Sequence, residues 1–184
     1  MKLLCLGDSN TYGYDPRSYY GSRYPESKRW TGLLDGWQVF NCGMNGLAVP
    51  SDSKVWQNLI ESRNPNLITV MLGSNDILED RAAEETASRM ETFLQNLLRC
   101  GKAILLIAPP EMKPGAWVQG EAQIQESRKL SQLYRSLAKK LGIDYANSEE
   151  WDVKLAFDGV HFTEAGHLAF AQGLKKHLEE NYHE

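Results

Sequence analysis

Four short stretches of this 184-residue chain carry side chains suited to acyl-transfer chemistry. They are Gly7-Asp8-Ser9-Asn10, Asn41-Cys42-Gly43-Met44-Asn45-Gly46, Gly73-Ser74-Asn75-Asp76 and Phe157-Asp158-Gly159-Val160-His161-Phe162. A serine hydroxyl attacks a carbonyl only when a base takes its proton and donors meet the developing oxyanion. Ser9 is the candidate nucleophile. The candidate donors are its own backbone N–H, the backbone N–H of Gly46, where no side chain blocks a substrate, and the carboxamide of Asn75. Losing one such donor costs on the order of 3 kcal/mol of transition-state stabilisation.

The base should be a histidine held by a carboxylate. The chain has four histidines. His177 and His183 lie near the C-terminus, and His167 falls on a helical pattern. His161 alone stands in a loop, with Asp158 three residues before it. A tight turn at Gly159 lets that carboxylate reach the ring nitrogen facing away from Ser9, which fixes the tautomer and stabilises the imidazolium. Asp152 and Asp8 are the alternative carboxylates. Asp8 and Asp76 otherwise read as structural, bonding nearby loop backbone.

Each residue also has a plainer reading. Ser9 could cap a helix, Asn75 could serve a turn, Gly46 could relieve a positive φ, and His161 could be an ordinary satisfied histidine. The four stretches together favour chemistry over four independent coincidences. A segment rich in Tyr12, Tyr14, Tyr19, Tyr20 and Tyr24 follows the nucleophile. The loop at 109–120 carries Met112 and Trp117. Tyr12, Tyr14 and Trp117 are the candidate substrate-binding walls, against the alternative of ordinary loop packing.

These stretches need a scaffold that brings them together. Apolar runs at Leu3–Leu6, Gln38–Asn41, Leu67–Leu72, Ala103–Ala108 and Ile143–Ala146 read as five strands. Between them, Ala87, Met90, Leu94, Leu97 and Leu98 follow helical spacing. So do Leu130, Leu133, Tyr134, Leu137, Ala138 and Leu141, stopped by Gly142. Thr163 is placed to cap a last helix. Lys28–Leu34 and Asp52–Ser62 read as shorter helices.

Alternating strands and helices predict a single α/β domain over residues 1–184. It should be a doubly wound three-layer α/β/α sandwich on a five-stranded parallel sheet, in the flavodoxin-like order 2-1-3-4-5. Strand 1 then lies between strands 2 and 3, so the first three stretches share one crevice at the carboxyl ends. Strand 5 is three inter-strand steps from strand 1, about 14 Å. The segment from Ser148 to Asp158 could span roughly 33 Å if extended, enough to return His161 to Ser9.

Composition limits the alternatives. Hydrophobic residues make up 42% and charged residues 24%, and the formal charge is -4. This balance fits a soluble domain and argues against nucleic-acid binding. No apolar run is long enough to span a bilayer, so no membrane partner is expected. An acid appears as early as Asp8, too soon for a signal peptide, so the expected compartment is the cytoplasm. Cys5, Cys42 and Cys100 are widely spaced, with no CxxC or Cys/His cluster. Neither a metal nor an organic cofactor is expected.

The four stretches resemble the ordered blocks of the SGNH/GDSL hydrolase family. Gly7-Asp8-Ser9 is similar to its first block and Gly46 to the glycine of the second. Gly73-Ser74-Asn75-Asp76 is similar to the Gly-x-Asn-Asp third block, and Asp158-Gly159-Val160-His161 to the Asp-x-x-His fourth. The run from Gly7 to Pro16, with Arg29-Trp30-Thr31-Gly32, resembles the arylesterase and acetyl-esterase branch. Asn10 stands where the family name has Leu, and Tyr12 where that branch often carries Trp.

The resemblance implies hydrolysis of short-chain esters, often acetyl, of small, aryl or sugar alcohols through an acyl-enzyme. It also implies that copies of the chain could form a homo-oligomer. The rival within the same chemistry is a thioesterase or lysophospholipase acting on longer acyl chains. The rival of another class is a non-catalytic doubly wound ligand-binding domain, although the turn after strand 1 has neither GxGxxG nor a P-loop.

Overall fold

Runs of apolar residues form β1 (Lys2–Gly7), β2 (Gln38–Gly43), β3 (Leu67–Met71), β4 (Ala103–Ala108) and β5 (Asp144–Asn147). In the computed structural model, which describes residues 1–18 and 20–182, they pair in parallel in the order β2-β1-β3-β4-β5. The expected topology is therefore the observed one. Tyr19 and His183 lie outside the described residues.

The central strands are apolar on both sides because both faces are covered. Leu4, Leu6, Ile68, Val70, Ile104 and Leu106 point to one face, under α2 (Lys54–Arg63), α4 (Ala83–Leu98) and α5 (Glu121–Leu141). Leu3, Cys5, Leu67, Leu105 and Ile107 point to the other, under Phe170, Leu174 and Leu178 of α6 (Glu164–Asn181). The alternation is the period of two that a strand imposes. Burial pushes the Cys5 thiol up to about 12, so it packs as a small apolar group.

Helix ends follow their capping chemistry. Gly142 ends α5 at φ 66°, and the Thr163 side chain accepts the Gly166 N–H at 3.0 Å to start α6. Two short helices follow strands directly: α1 (Ser9–Tyr12) after β1 and α3 (Ser74–Leu78) after β3.

The helix expected over Lys28–Leu34 is a correction. The chain instead makes two 3-10 turns, Glu26–Lys28 and Trp30–Gly32, separated by extended Arg29. Tertiary bonds at Trp30 override local preference. Its indole N–H donates to the Asn10 carbonyl at 2.9 Å, and its backbone N–H donates to His167 Nδ1 at 3.4 Å.

His167 is fully buried between the rings of Tyr24 and Phe162. Burial, reinforced by the Arg29 charge, lowers its pKa to about 3. The unfolded chain therefore takes up this proton first. The stability due to neutral His167 is complete above about pH 6.5 and is lost as pH falls toward 3. Buried Asp8, raised to about 6 by desolvation, acts in the opposite sense. It is ionised at a cost above that pH and relieved as pH falls toward its unfolded value.

The two should nearly cancel between pH 6 and 4. Replacing His167 with Gln removes one side of the balance. Its stability relative to wild type should improve by on the order of 2–3 kcal/mol between pH 6.5 and 4.5. Urea unfolding at several pH values measures this, and parallel curves for the two proteins would contradict it.

Candidate active site

The site is built on the turns that leave β1, β2 and β3 at their carboxyl ends. After Gly7, Asp8 caps α1, its Oδ1 accepting the Asn10 N–H at 2.9 Å. The cap is thus Asp8, not Ser9, and it leaves the Ser9 hydroxyl free for another partner. That partner is His161 Nε2, at 2.9 Å from Ser9 Oγ. The two residues are 152 positions apart in sequence, yet both are buried.

Asp158 completes the relay. Its Oδ2 lies 2.8 Å from His161 Nδ1, while its Oδ1 accepts the backbone N–H groups of Val160 and His161, each at 2.9 Å. Burial alone would raise the Asp158 pKa. The hydrogen bond with the His161 ring and the two backbone donors outweigh it and hold the carboxyl below its ordinary value. Of the alternative carboxylates, Asp152 is exposed and pairs with Lys154 at 2.5 Å. Asp8 bonds the α1 backbone.

The other two turns are tied to the same place. Asn41 of β2 donates from Nδ2 to the Thr11 carbonyl at 2.8 Å and to Thr31 Oγ1 at 2.9 Å. Gly43 lies so close to α1 that an added Cβ would strike the Tyr12 backbone nitrogen. Beyond it, the Met44 N–H donates to the Gly7 carbonyl at 3.0 Å. The following turn holds Gly46 at φ 71° with an exposed backbone. Asn75, second residue of α3, donates from Nδ2 to the Leu47 carbonyl at 3.1 Å. One amide N–H is spent on binding the Gly46 turn, and a carboxamide carries a second. Ser9 is the first residue of α1, so its N–H has no intrahelical acceptor. Asp76 braces the Val49 backbone at 2.8 Å and faces Arg81 and Arg89.

Two aromatic rings flank the histidine. Tyr14 lies 4.6 Å from the His161 ring centroid, and Trp117 meets it edge to face at 4.7 Å. The Trp117 backbone N–H donates to the Asp158 carbonyl at 3.1 Å, while the residue stays 47% exposed. Tyr12 has a different neighbour: its ring lies 4.3 Å under the Arg23 guanidinium. Tyr24 is buried beside His167, and Tyr20 is almost fully exposed. The tyrosine-rich segment therefore sends one described ring, Tyr14, to His161.

Sequence reasoning gave Asn10 no role beyond its departure from the family name. The structure buries it and gives its carboxamide partners on both sides of His161. The only signal was a polar residue directly after the nucleophile, and its partners are about 150 residues away.

A doubly wound sheet with a serine, histidine and aspartate in hydrogen-bonded series at its switch point is the arrangement of a serine hydrolase. The family model for GDSL-like lipase/acylhydrolases matches residues 5–169, and the chain belongs to that family. A search of curated proteins found no match.

Among solved structures, a carbohydrate acetylesterase from Sinorhizobium meliloti is 24% identical with a TM-score of 0.87, covering 98% of this chain and 99% of that one. A second carbohydrate acetylesterase family member from Sinorhizobium meliloti is 26% identical with a TM-score of 0.85, covering 97% of each chain. The native aryl esterase of M. smegmatis is 24% identical with a TM-score of 0.86, covering 97% and 98%.

Proposed function

We propose that the protein is a serine esterase that hydrolyses short-chain, chiefly acetyl, esters of small, aryl or sugar alcohols. The observation that carries this reading is the continuous series Ser9 Oγ, His161 and Asp158, with links of 2.9 and 2.8 Å. Ser9 attacks the acyl carbon while His161 Nε2 takes its proton. His161 then gives that proton to the leaving alcohol. Water, deprotonated by the same imidazole, cleaves the acyl-enzyme and frees the acid. Asp158 stabilises the transient imidazolium. The N–H groups of Ser9, Gly46 and the second Asn75 amide proton receive the oxyanion.

Tyr14 and Trp117 supply flat apolar walls beside the base, suited to an aryl ring or a sugar face. The acetyl preference is supported by the two carbohydrate acetylesterases among the structural neighbours, and the aryl alcohols by the aryl esterase. We also propose a cytoplasmic setting. The free thiols of Cys5, Cys42 and Cys100 suit a reducing compartment, and no helix among the described residues is long and apolar enough to cross a membrane.

A fluorophosphonate probe followed by peptide mapping tests the nucleophile. Labelling is expected at Ser9 and nowhere else, and a chain that fails to label is not this kind of enzyme. A series of p-nitrophenyl esters tests the acyl group. The expected peak of kcat/KM lies at C2–C4, with at least a tenfold drop by C8. A maximum at C8 or beyond would assign the protein to the long-chain rival.

A further inference from the structure

We infer that Asn10 is a positioning residue, which holds the loop bearing the base in register with the nucleophile. The inference rests on the serine-esterase reading above. Asp158 orients the imidazole, but it belongs to the same loop as His161, so it cannot fix that loop's distance from Ser9. The carboxamide of Asn10 can. Its Oδ1 accepts the Phe162 N–H at 2.9 Å, and its Nδ2 donates to the Val160 carbonyl at 3.1 Å. These are the peptide groups immediately before and after His161. The side chain thus bonds the loop as a neighbouring strand would, with one donor and one acceptor.

Asn10 is itself fixed. Its N–H donates to Asp8 and its carbonyl accepts the Trp30 indole N–H at 2.9 Å. It is covalently next to Ser9 and 3% exposed. Two bonds to His161's flanking peptides and one covalent step to Ser9 therefore set the 2.9 Å contact between hydroxyl and imidazole. Leucine, which the family name places here, has no group able to make either bond.

The geometry predicts a specific kinetic signature. Asn10→Leu frees the loop to shift, and a displacement of about 1 Å between reacting groups costs on the order of 100-fold in rate. That loss should fall on kcat far more than on KM, because proton transfer depends steeply on the Ser9–His161 distance, whereas of the two walls Trp117 is tied to the shifting loop by one backbone bond to Asp158. Asn10→Asp is the conservative companion. Ionised, it keeps the acceptor for Phe162 but opposes the Val160 carbonyl. Protonated, it can donate to that carbonyl again. Its kcat relative to wild type should therefore rise as pH falls from 8 to 5.

Both variants, wild type and Ser9→Ala are assayed on p-nitrophenyl acetate, with the concentration of folded protein fixed by circular dichroism. The expected result is the kcat-specific loss in Asn10→Leu and the pH-dependent recovery in Asn10→Asp. A kcat within twofold of wild type in folded Asn10→Leu overturns the inference, whatever its melting temperature. So does a pH-independent activity ratio for Asn10→Asp, which still decides the matter if the leucine variant does not fold. Wild-type activity in Ser9→Ala would instead overturn the esterase reading.

Discussion

Replacing Ser9 with alanine is expected to lower kcat for p-nitrophenyl acetate by on the order of 10^6-fold. Among the described residues, the Ser9 hydroxyl is the nucleophile hydrogen-bonded to His161 Nε2, at 2.9 Å. The substitution should leave the fold in place. What Ser9 contributes to α1 is its backbone: its carbonyl accepts the N–H groups of Gly13 and Tyr14 at 2.9 and 3.0 Å. Alanine keeps that carbonyl and favours helix. Hydrogen-bond donors and bound geometry would still give a residual rate of roughly 10^3-fold over water. Steady-state kinetics beside a thermal melt measures both. Wild-type turnover in the variant would eliminate Ser9 as nucleophile.

The second large effect is expected at Asp158. Asparagine in its place keeps an oxygen for the backbone N–H groups of Val160 and His161, now at 2.9 Å, so the turn should persist. The other arm changes from acceptor to donor, and it faces His161 Nδ1. That nitrogen must then accept, which moves the ring proton to Nε2. There it points at Ser9 Oγ, and the imidazole can no longer take the hydroxyl's proton. The loss should be about 10^4-fold in kcat with KM little changed. A loss below tenfold would mean that another group orients the ring.

The architecture was readable because its signals are local. Period-two burial and the caps at Gly142 and Thr163 lie within a few residues of what they specify. The strand order was less directly encoded: 2-1-3-4-5 is one of the common doubly wound arrangements, favoured over its alternatives, and the structure adopts it. Gly7-Asp8-Ser9 and Asp158-Gly159-Val160-His161 were readable for the same reason, as compact patterns at strand ends or in a loop.

What stayed hidden depends on contacts between distant segments. Trp30 leaves a helical path because Asn10 and His167 bind it, and nothing near residue 30 encodes those partners. Tyr12 and Tyr14 are alike in sequence terms, but one packs under Arg23 and the other beside His161. The role of Asn10 depends on a loop about 150 residues downstream.

The 152-residue separation between hydroxyl and imidazole has a consequence for the protein's birth. At ribosomal speeds of about 5–20 residues per second, roughly 8–30 s pass between synthesis of the first group and the second. During that interval the serine is an ordinary alcohol, without the power to attack esters in its surroundings. Reactivity is switched on only when translation has delivered the loop that bears residue 161 and that loop has docked beside the serine.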